Sequence, residues 1–336
     1  MSELLINARA PFDFASTARF LRFTDAEAVD TFDGGRYGRA LHFGERLFLL
    51  SVESHGTAAH PALRVELAPE QFATPQILDE AARVVRGMFS LEHDLAGWRA
   101  LLARDGVMRR LEADHHGLRL ARWPSLFEAL VTSILLQQIA TGVAITFRRR
   151  VVERYGERLE TGDETYYAFP RPEALAGASV EELRALGLSN AKAACINEVA
   201  RACAAGELSS DTLARDDNEG VIARLSSLRG IGRWTAEWVL MLHFGRPDVF
   251  PAADLFLRGV VIKYYNRGVA LSEREIRAFA AKRWGAYQSY GALYFLAGMR
   301  AGTITLKPER VLSSEQSAAR PTRRTQRKTT DRQDET

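Results

Sequence analysis

Between Leu228 and Gly259 the chain reads LRGIGRWTAEWVLMLHFGRPDVFPAADLFLRG, and no other stretch restricts its fold as tightly. VIARLSSL, just before it, has the spacing of a short amphipathic helix. Gly230 and Gly232 then flank Ile231 in a turn where glycine tolerates angles that other residues avoid, and RWTAEWVLMLHF begins a second helix at once. The pattern is helix, hairpin, helix. Unsatisfied N–H groups at the start of the second helix and in the glycine turn face the positive end of a helix dipole, which suits one phosphate. Gly230, Gly232, Arg233 and Thr235 are the candidate contacts, and they would grip a backbone rather than read a base. A glycine pair between helices is also an ordinary C-cap followed by a new helix.

Beyond the hairpin, Asp254 is a lone carboxylate among apolar neighbours. At the head of LFLRGVVIKYY it fits an N-cap. It equally fits a catalytic carboxylate, and one residue can be both, since the field of a helix N-terminus favours the ionised form. Trp234 and Trp238, four apart, share a helix face. Two such rings either pack in a core or line a cleft where a base could stack.

At 336 residues the chain exceeds one average core, so two packed units and a tail are expected. Hydrophobic residues at 46% and charged residues at 26% are those of a folding, globular chain, and a net charge of +3 is too mild to identify a polyanionic partner. Cys195 and Cys203 are the only cysteines, which excludes a four-cysteine zinc site, a four-cysteine iron–sulfur cluster and a disulfide scaffold. MSELLINARAPFDF has no basic segment leading into an apolar one, and no later run has membrane-spanning length, so a cytoplasmic protein without a membrane partner is expected.

FASTARFLRF near the start has a helical pattern, while RALHFGERLFLLSVES and ALRVELAP alternate like antiparallel strands. Helical spacing takes over from TPQILDEAARVVRGMF, and after the link HHGLRLARWP everything to about Gly302 reads as successive short helices. The expected division is a mixed sheet domain with the leading helices over residues 1–116, a helical region over 117–306 and a basic tail over 307–336. The tail, carrying Arg320, Arg323, Arg324, Arg327 and Lys328, is expected to be disordered, either simply solvated or aiding nonspecific DNA binding.

LSSLRGIGRWTAEWVLMLHFGRPDVFPAADLFLRG resembles the hairpin, Gly/Pro-rich loop and catalytic aspartate of the helix-hairpin-helix DNA glycosylases, and within them the DNA-3-methyladenine glycosylase II family. PFDFASTARFLRF, YGRALHFGE, LFEALVTSILLQQIATGVAITFRRRVVERYGERL and LRALGLSNAKAACINEVARACAAGEL resemble further family stretches in order, from about Pro11 to Gly302. The resemblance implies an α+β fold: a mainly α-helical, two-lobed helix-hairpin-helix glycosylase with an N-terminal mixed antiparallel β-sheet domain. It implies base excision repair of damaged double-stranded DNA by a monomer associated with the nucleoid, hydrolysing the N-glycosidic bond of alkylated bases such as 3-methyladenine and 7-methylguanine.

Asp254 falls at the catalytic position, where a carboxylate would favour an oxocarbenium-like sugar and orient the attacking water. Trp234 stands where strand-cutting relatives carry a nucleophilic lysine, which implies a monofunctional enzyme. Trp234, Trp238 and Phe20 match walls of the base pocket, and Gln138, with Gln137 next, matches the wedge that fills the space of a flipped base, although glutamines between helices also cap backbone groups. Leu255 and Leu296 depart from family aromatics. No cofactor is required on this reading, but the family implies a structural Na+ or K+ at the carbonyls of Ser226, Leu228 and Gly230. The competing readings are a noncatalytic hairpin DNA-binding protein, which has no need of Asp254, and a glycosylase for hypoxanthine or oxidised guanine.

Overall fold

The computed structural model describes residues 3–22, 28–57, 60–162 and 164–306. Met1–Thr305 form one compact unit, and Leu306–Thr336 a second, which lies almost wholly outside the described residues together with the basic side chains expected there.

The first unit begins with β1 (Glu3–Asn7), the helix α1 (Phe14–Leu21), and β2 (Asp30–Asp33), β3 (Arg36–Phe43), β4 (Arg46–Gly56) and β5 (Pro61–Ala68). The strands form an antiparallel sheet in the order β1-β5-β4-β3-β2. Phe43 pairs with Arg46 across a two-residue turn whose first residue, Gly44, has φ +58°, an angle that glycine adopts without strain. Alternation along β5 buries Leu63, Val65 and Leu67. Asp13 caps α1, and Thr74 caps α2 (Pro75–Met88), where Pro75 occupies the first turn. Phe14, Ala18 and Leu21 from α1 and Val85 from α2 close a core over Tyr37, Phe48 and Leu50.

The helical part comprises α3 (Ala96–Leu102), α4 (Gly106–Asp114), α5 (Leu126–Leu136), α6 (Thr141–Tyr155), the hairpin β6 (Arg158–Thr161) and β7 (Glu164–Tyr167), α7 (Pro172–Ala176), α8 (Val180–Ala185), α9 (Asn190–Ala204), α10 (Ser210–Leu213), α11 (Asn218–Ser226), α12 (Arg233–Leu242), α13 (Leu255–Tyr265), α14 (Glu273–Trp284) and α15 (Gln288–Arg300). The β6–β7 hairpin corrects the expectation of helices alone after residue 117: RLETGDETYY supplies β-formers on both sides of a Gly-containing turn, and strands this short carry little periodicity. Residues Leu126 to Leu135 of α5 are all buried, as befits a helix hydrophobic on every side. It packs against α6, α9 and α12. No helix among the described residues is long and apolar enough to cross a membrane.

Two polar devices fasten the sheet to the helices. Glu128, buried on α5, pairs with Arg39 from β3 and with Arg148 from α6 at 2.5 Å, and Arg39 also holds Asp30 of β2 at 2.8 Å. Such a cluster is costly to desolvate and costlier to break, because loss of one member strands a buried charge. In the link after α4, buried Arg119 donates to the carbonyls of Arg9, Pro11, Ser90 and His93. A few residues on, Arg122 donates to the carbonyl of His243, whose Nδ1 bonds the Trp123 carbonyl at 3.1 Å and whose Nε2 meets the Ser210 hydroxyl at 2.8 Å. The link is thereby tied to the end of α12.

Candidate active site

Helices α11 and α12 are joined by the turn around Gly230 and Gly232, and the two glycines serve different ends. Gly230 has φ +89°, and a Cβ there would lie 3.1 Å from the Sγ of Cys195 on α9. The turn is thus seated against α9, and burial pushes the Cys195 thiol up to about 11, which leaves it an unreactive packing group. Gly232 caps α12 in an extended conformation (φ −105°) without a side-chain bond, and a Cβ would meet nothing within 4 Å. Open space therefore lies beside Gly232 at the head of α12. Arg233 pairs its guanidinium with Glu219 at 2.5 Å on the surface, and Thr235 is buried. What the hairpin presents is backbone.

Asp254 closes the Gly/Pro loop and caps α13. Its Oδ1 accepts from the N–H groups of Phe256 and Leu257, both at 3.0 Å, and its Oδ2 accepts from the indole Nε1 of Trp234 at 3.2 Å. The carboxylate thus caps α13 with one oxygen and accepts from Trp234 with the other. The Trp234 bond was not visible in the sequence: positions 234 and 254 carry no local signal of contact and meet only because the loop folds α13 back against α12.

A cavity of about 490 Å³ opens beside this carboxylate, within the roughly 300–1,000 Å³ usual for ligand pockets. Phe20, Trp234, Trp238, Asp254 and Leu296 line it, and Trp234 and Trp238 meet edge to face with ring centroids 6.1 Å apart. Three expected pocket residues and the expected acid are thus brought together. Leu255 is not part of this wall. It stands 81% exposed in a neighbouring groove, so of the two departures from the family pattern only Leu296 alters the cavity. Sequence reasoning missed Arg300, whose guanidinium lies 4.2 Å from the centroid of the Phe20 ring and donates to the Arg19 and Phe20 carbonyls at 3.3 Å. Burial lowers the Arg300 pKa to about 10, which still leaves it cationic near neutral pH.

The groove is lined by Gln137, Gln138, Gly230, Gly232 and Leu255, and it shares Trp234 and Asp254 with the cavity. The two glutamines separate. Gln138 is exposed at the tip of the turn between α5 and α6, in the left-handed region at φ +56°. Gln137 is half-buried, its Nε2 donating to the Gly230 carbonyl at 3.0 Å and to the Thr235 hydroxyl at 2.9 Å. Of the three carbonyls expected to face a cation, that of Gly230 therefore accepts from Gln137, and that of Leu228 from the Ile231 N–H at 3.2 Å. Each carbonyl has a second lone pair, so an all-oxygen set still fits a hard monovalent ion. Lys192 and Lys263 are engaged elsewhere, on the carbonyls of Leu135 and Thr305.

A hairpin presenting backbone N–H groups, beside a capped carboxylate at the mouth of an aromatic cavity, defines the class of helix-hairpin-helix repair proteins. The chain belongs to the HhH-GPD superfamily of base excision DNA repair proteins, whose family model matches residues 131–286, and the AlkA N-terminal domain matches residues 3–125. It is 30% identical over 216 residues to the DNA-3-methyladenine glycosylase of Bacillus subtilis (strain 168), covering 64% of this chain and 71% of that protein. Over 289 residues it is 29% identical to DNA-3-methyladenine glycosylase 2 of Escherichia coli (strain K12), covering 86% of this chain and 95% of that one. Among solved structures, the 3-methyladenine DNA-glycosylase from Archaeoglobus fulgidus superposes with a TM-score of 0.78 at 26% identity, over 90% of this chain and all of the other.

Proposed function

We propose that this chain is a monofunctional DNA glycosylase of base excision repair, which hydrolyses the N-glycosidic bond of alkylated bases of the 3-methyladenine and 7-methylguanine type in duplex DNA. The observation that carries this reading is the placement of Asp254 on the boundary between an aromatic cavity and the groove below the hairpin. The names of the relatives and of the solved neighbour support the substrate class.

The hairpin N–H groups hold a phosphate, and the target nucleotide leaves the stack while Gln138, at its exposed turn, fills the vacated space. The base then stands against Trp234 and Trp238, whose π-faces favour an electron-poor alkylated ring. As the bond between C1′ and the base nitrogen breaks, its electron pair leaves with the base and positive charge develops on the sugar. The Asp254 carboxylate, fixed by three N–H donors, faces that charge at no reorganisation cost. Water adds to C1′ and its proton passes to the carboxylate or to solvent, leaving an abasic sugar. No amine stands at position 234, so the sugar is not captured covalently. The carbonyls of Ser226, Leu228 and Gly230 would hold a monovalent cation, which when bound adds positive charge facing the phosphate. On this reading the enzyme acts as a monomer, and its place of work is the nucleoid.

The test is incubation of the full chain with methylated duplex DNA and chromatography of the released bases. Release of 3-methyladenine or 7-methylguanine without a borohydride-trapped protein–DNA adduct is expected. A trapped adduct overturns the monofunctional mechanism, and release of nothing overturns the assignment.

A further inference from the structure

Leu136, Ile139, Trp234, Asp254 and Phe256 line both the cavity and the groove, and so form the threshold between the two. Leu255 lies in the chain between two of these residues and lines the groove alone. At 81% it is the most exposed large apolar side chain among the described residues. A single exposed leucine is ordinary on a protein surface, but this one is set apart by its place and by how firmly it is held. It is the first residue of α13, whose opening turn is fixed by the bonds of Asp254 to the Phe256 and Leu257 N–H groups and by the complete burial of the Leu257 side chain. An apolar group presented rigidly to water on the wall of a groove gains free energy only when an occupant of the groove covers it.

The proposed function determines what that occupant is. With the base in the cavity and its glycosidic bond beside Asp254, the deoxyribose stands on the groove side of the threshold, between that carboxylate and the hairpin glycines that take a phosphate. The C–H groups of the sugar ring are the apolar surface within reach there, and they arrive only once the nucleotide has left the stack. We propose that Leu255 packs against the deoxyribose of the extruded nucleotide, stabilising the flipped state without adding to the grip on intact duplex. This rests on the glycosylase reading above and adds a substrate-contacting residue to it. The contact is made to the sugar and not to the base, so it serves 3-methyladenine and 7-methylguanine alike. Gln138, on the same groove, fills the gap left in the stack, so two exposed side chains answer two different features of one flipped nucleotide.

The test is the affinity of the full chain, by fluorescence anisotropy, for duplexes of one sequence that differ at a single position: an ordinary nucleotide, a tetrahydrofuran abasic analogue that keeps the sugar ring, or a propanediol linker that leaves the gap but has no ring. Leu255→Ser removes the apolar side chain at an exposed position, where folding does not depend on it, and Leu255→Met keeps the apolar bulk. Leu255→Ser is expected to weaken binding of the tetrahydrofuran duplex about tenfold, the effect of leaving one apolar side chain uncovered, and to change the other two by less than about twofold. Leu255→Met is expected to restore tetrahydrofuran binding. An equal loss on every duplex makes Leu255 a general groove contact, a loss on both the tetrahydrofuran and propanediol duplexes makes it a second plug for the gap, and no loss makes it a bystander; each of these overturns the assignment. Failure of the unmutated chain to release any base from methylated duplex DNA instead overturns the glycosylase reading beneath it.

Discussion

Asp254 combines two duties on separate oxygens, and the separation makes them testable. Asp254→Asn keeps an oxygen for the Phe256 and Leu257 N–H groups but removes the charge and turns an amide NH2 toward the Trp234 indole. Single-turnover base release should fall by about 10²–10³, the usual effect of losing one preorganised electrostatic group, while thermal stability drops by no more than ~1 kcal/mol. Near-normal release from the folded variant would reduce Asp254 to a cap. Trp234→Phe removes the N–H that aims Oδ2 together with part of the ring face beside the base, and release should slow by about tenfold or more with affinity for an abasic-site duplex retained. The acid and its aromatic neighbours were legible because residue type and position carry the signal. The Trp234–Asp254 bond and the Arg300–Phe20 stack were not, since each depends on elements distant in sequence being packed together.

The hairpin shows how far an element can be read before its surroundings are known. Its glycines announce the turn but look alike, and the division of labour emerges only once α9 is placed behind Gly230 and open space in front of Gly232. Gly230→Ala should therefore destabilise the fold through a positive φ and a Cβ pressed on Cys195, by about 1–3 kcal/mol in urea titration. Gly232→Val should leave stability nearly unchanged and weaken binding to damaged and undamaged duplexes alike, measured by fluorescence anisotropy, because the added methyls occupy the approach of a phosphate. Loss confined to damaged DNA would contradict the phosphate role. Charge at a helix start marks Arg233 as an anion contact, and its surface pairing with Glu219, fourteen residues earlier, carries no signal in the sequence. The β6–β7 hairpin escaped notice for a similar reason, its pairing being supported by the neighbouring sheet through the Ala40–Ala168 bridge rather than by its own pattern.

At the scale of the molecule, burial of His243 at the junction of the link and α12 couples folding to pH. Desolvation lowers its pKa to about 4 from 6.5, so between those values the unfolded chain binds more protons than the folded one. Stability is then complete above pH 6.5 and lost as pH falls toward 4, by about 3 kcal/mol from this residue alone. His243→Asn, which retains a donor for the Trp123 carbonyl, should flatten that part of the stability–pH curve measured by urea unfolding. An unchanged slope would place the proton uptake elsewhere. The bonds of Gln137 have a consequence of another kind. One amide ties the turn bearing Gln138 to both the Gly230 carbonyl and the Thr235 hydroxyl, so that turn and the hairpin are held at one spacing. On the proposed function, an enzyme anchored at a phosphate is by that act aligned on one nucleotide at a set offset from it.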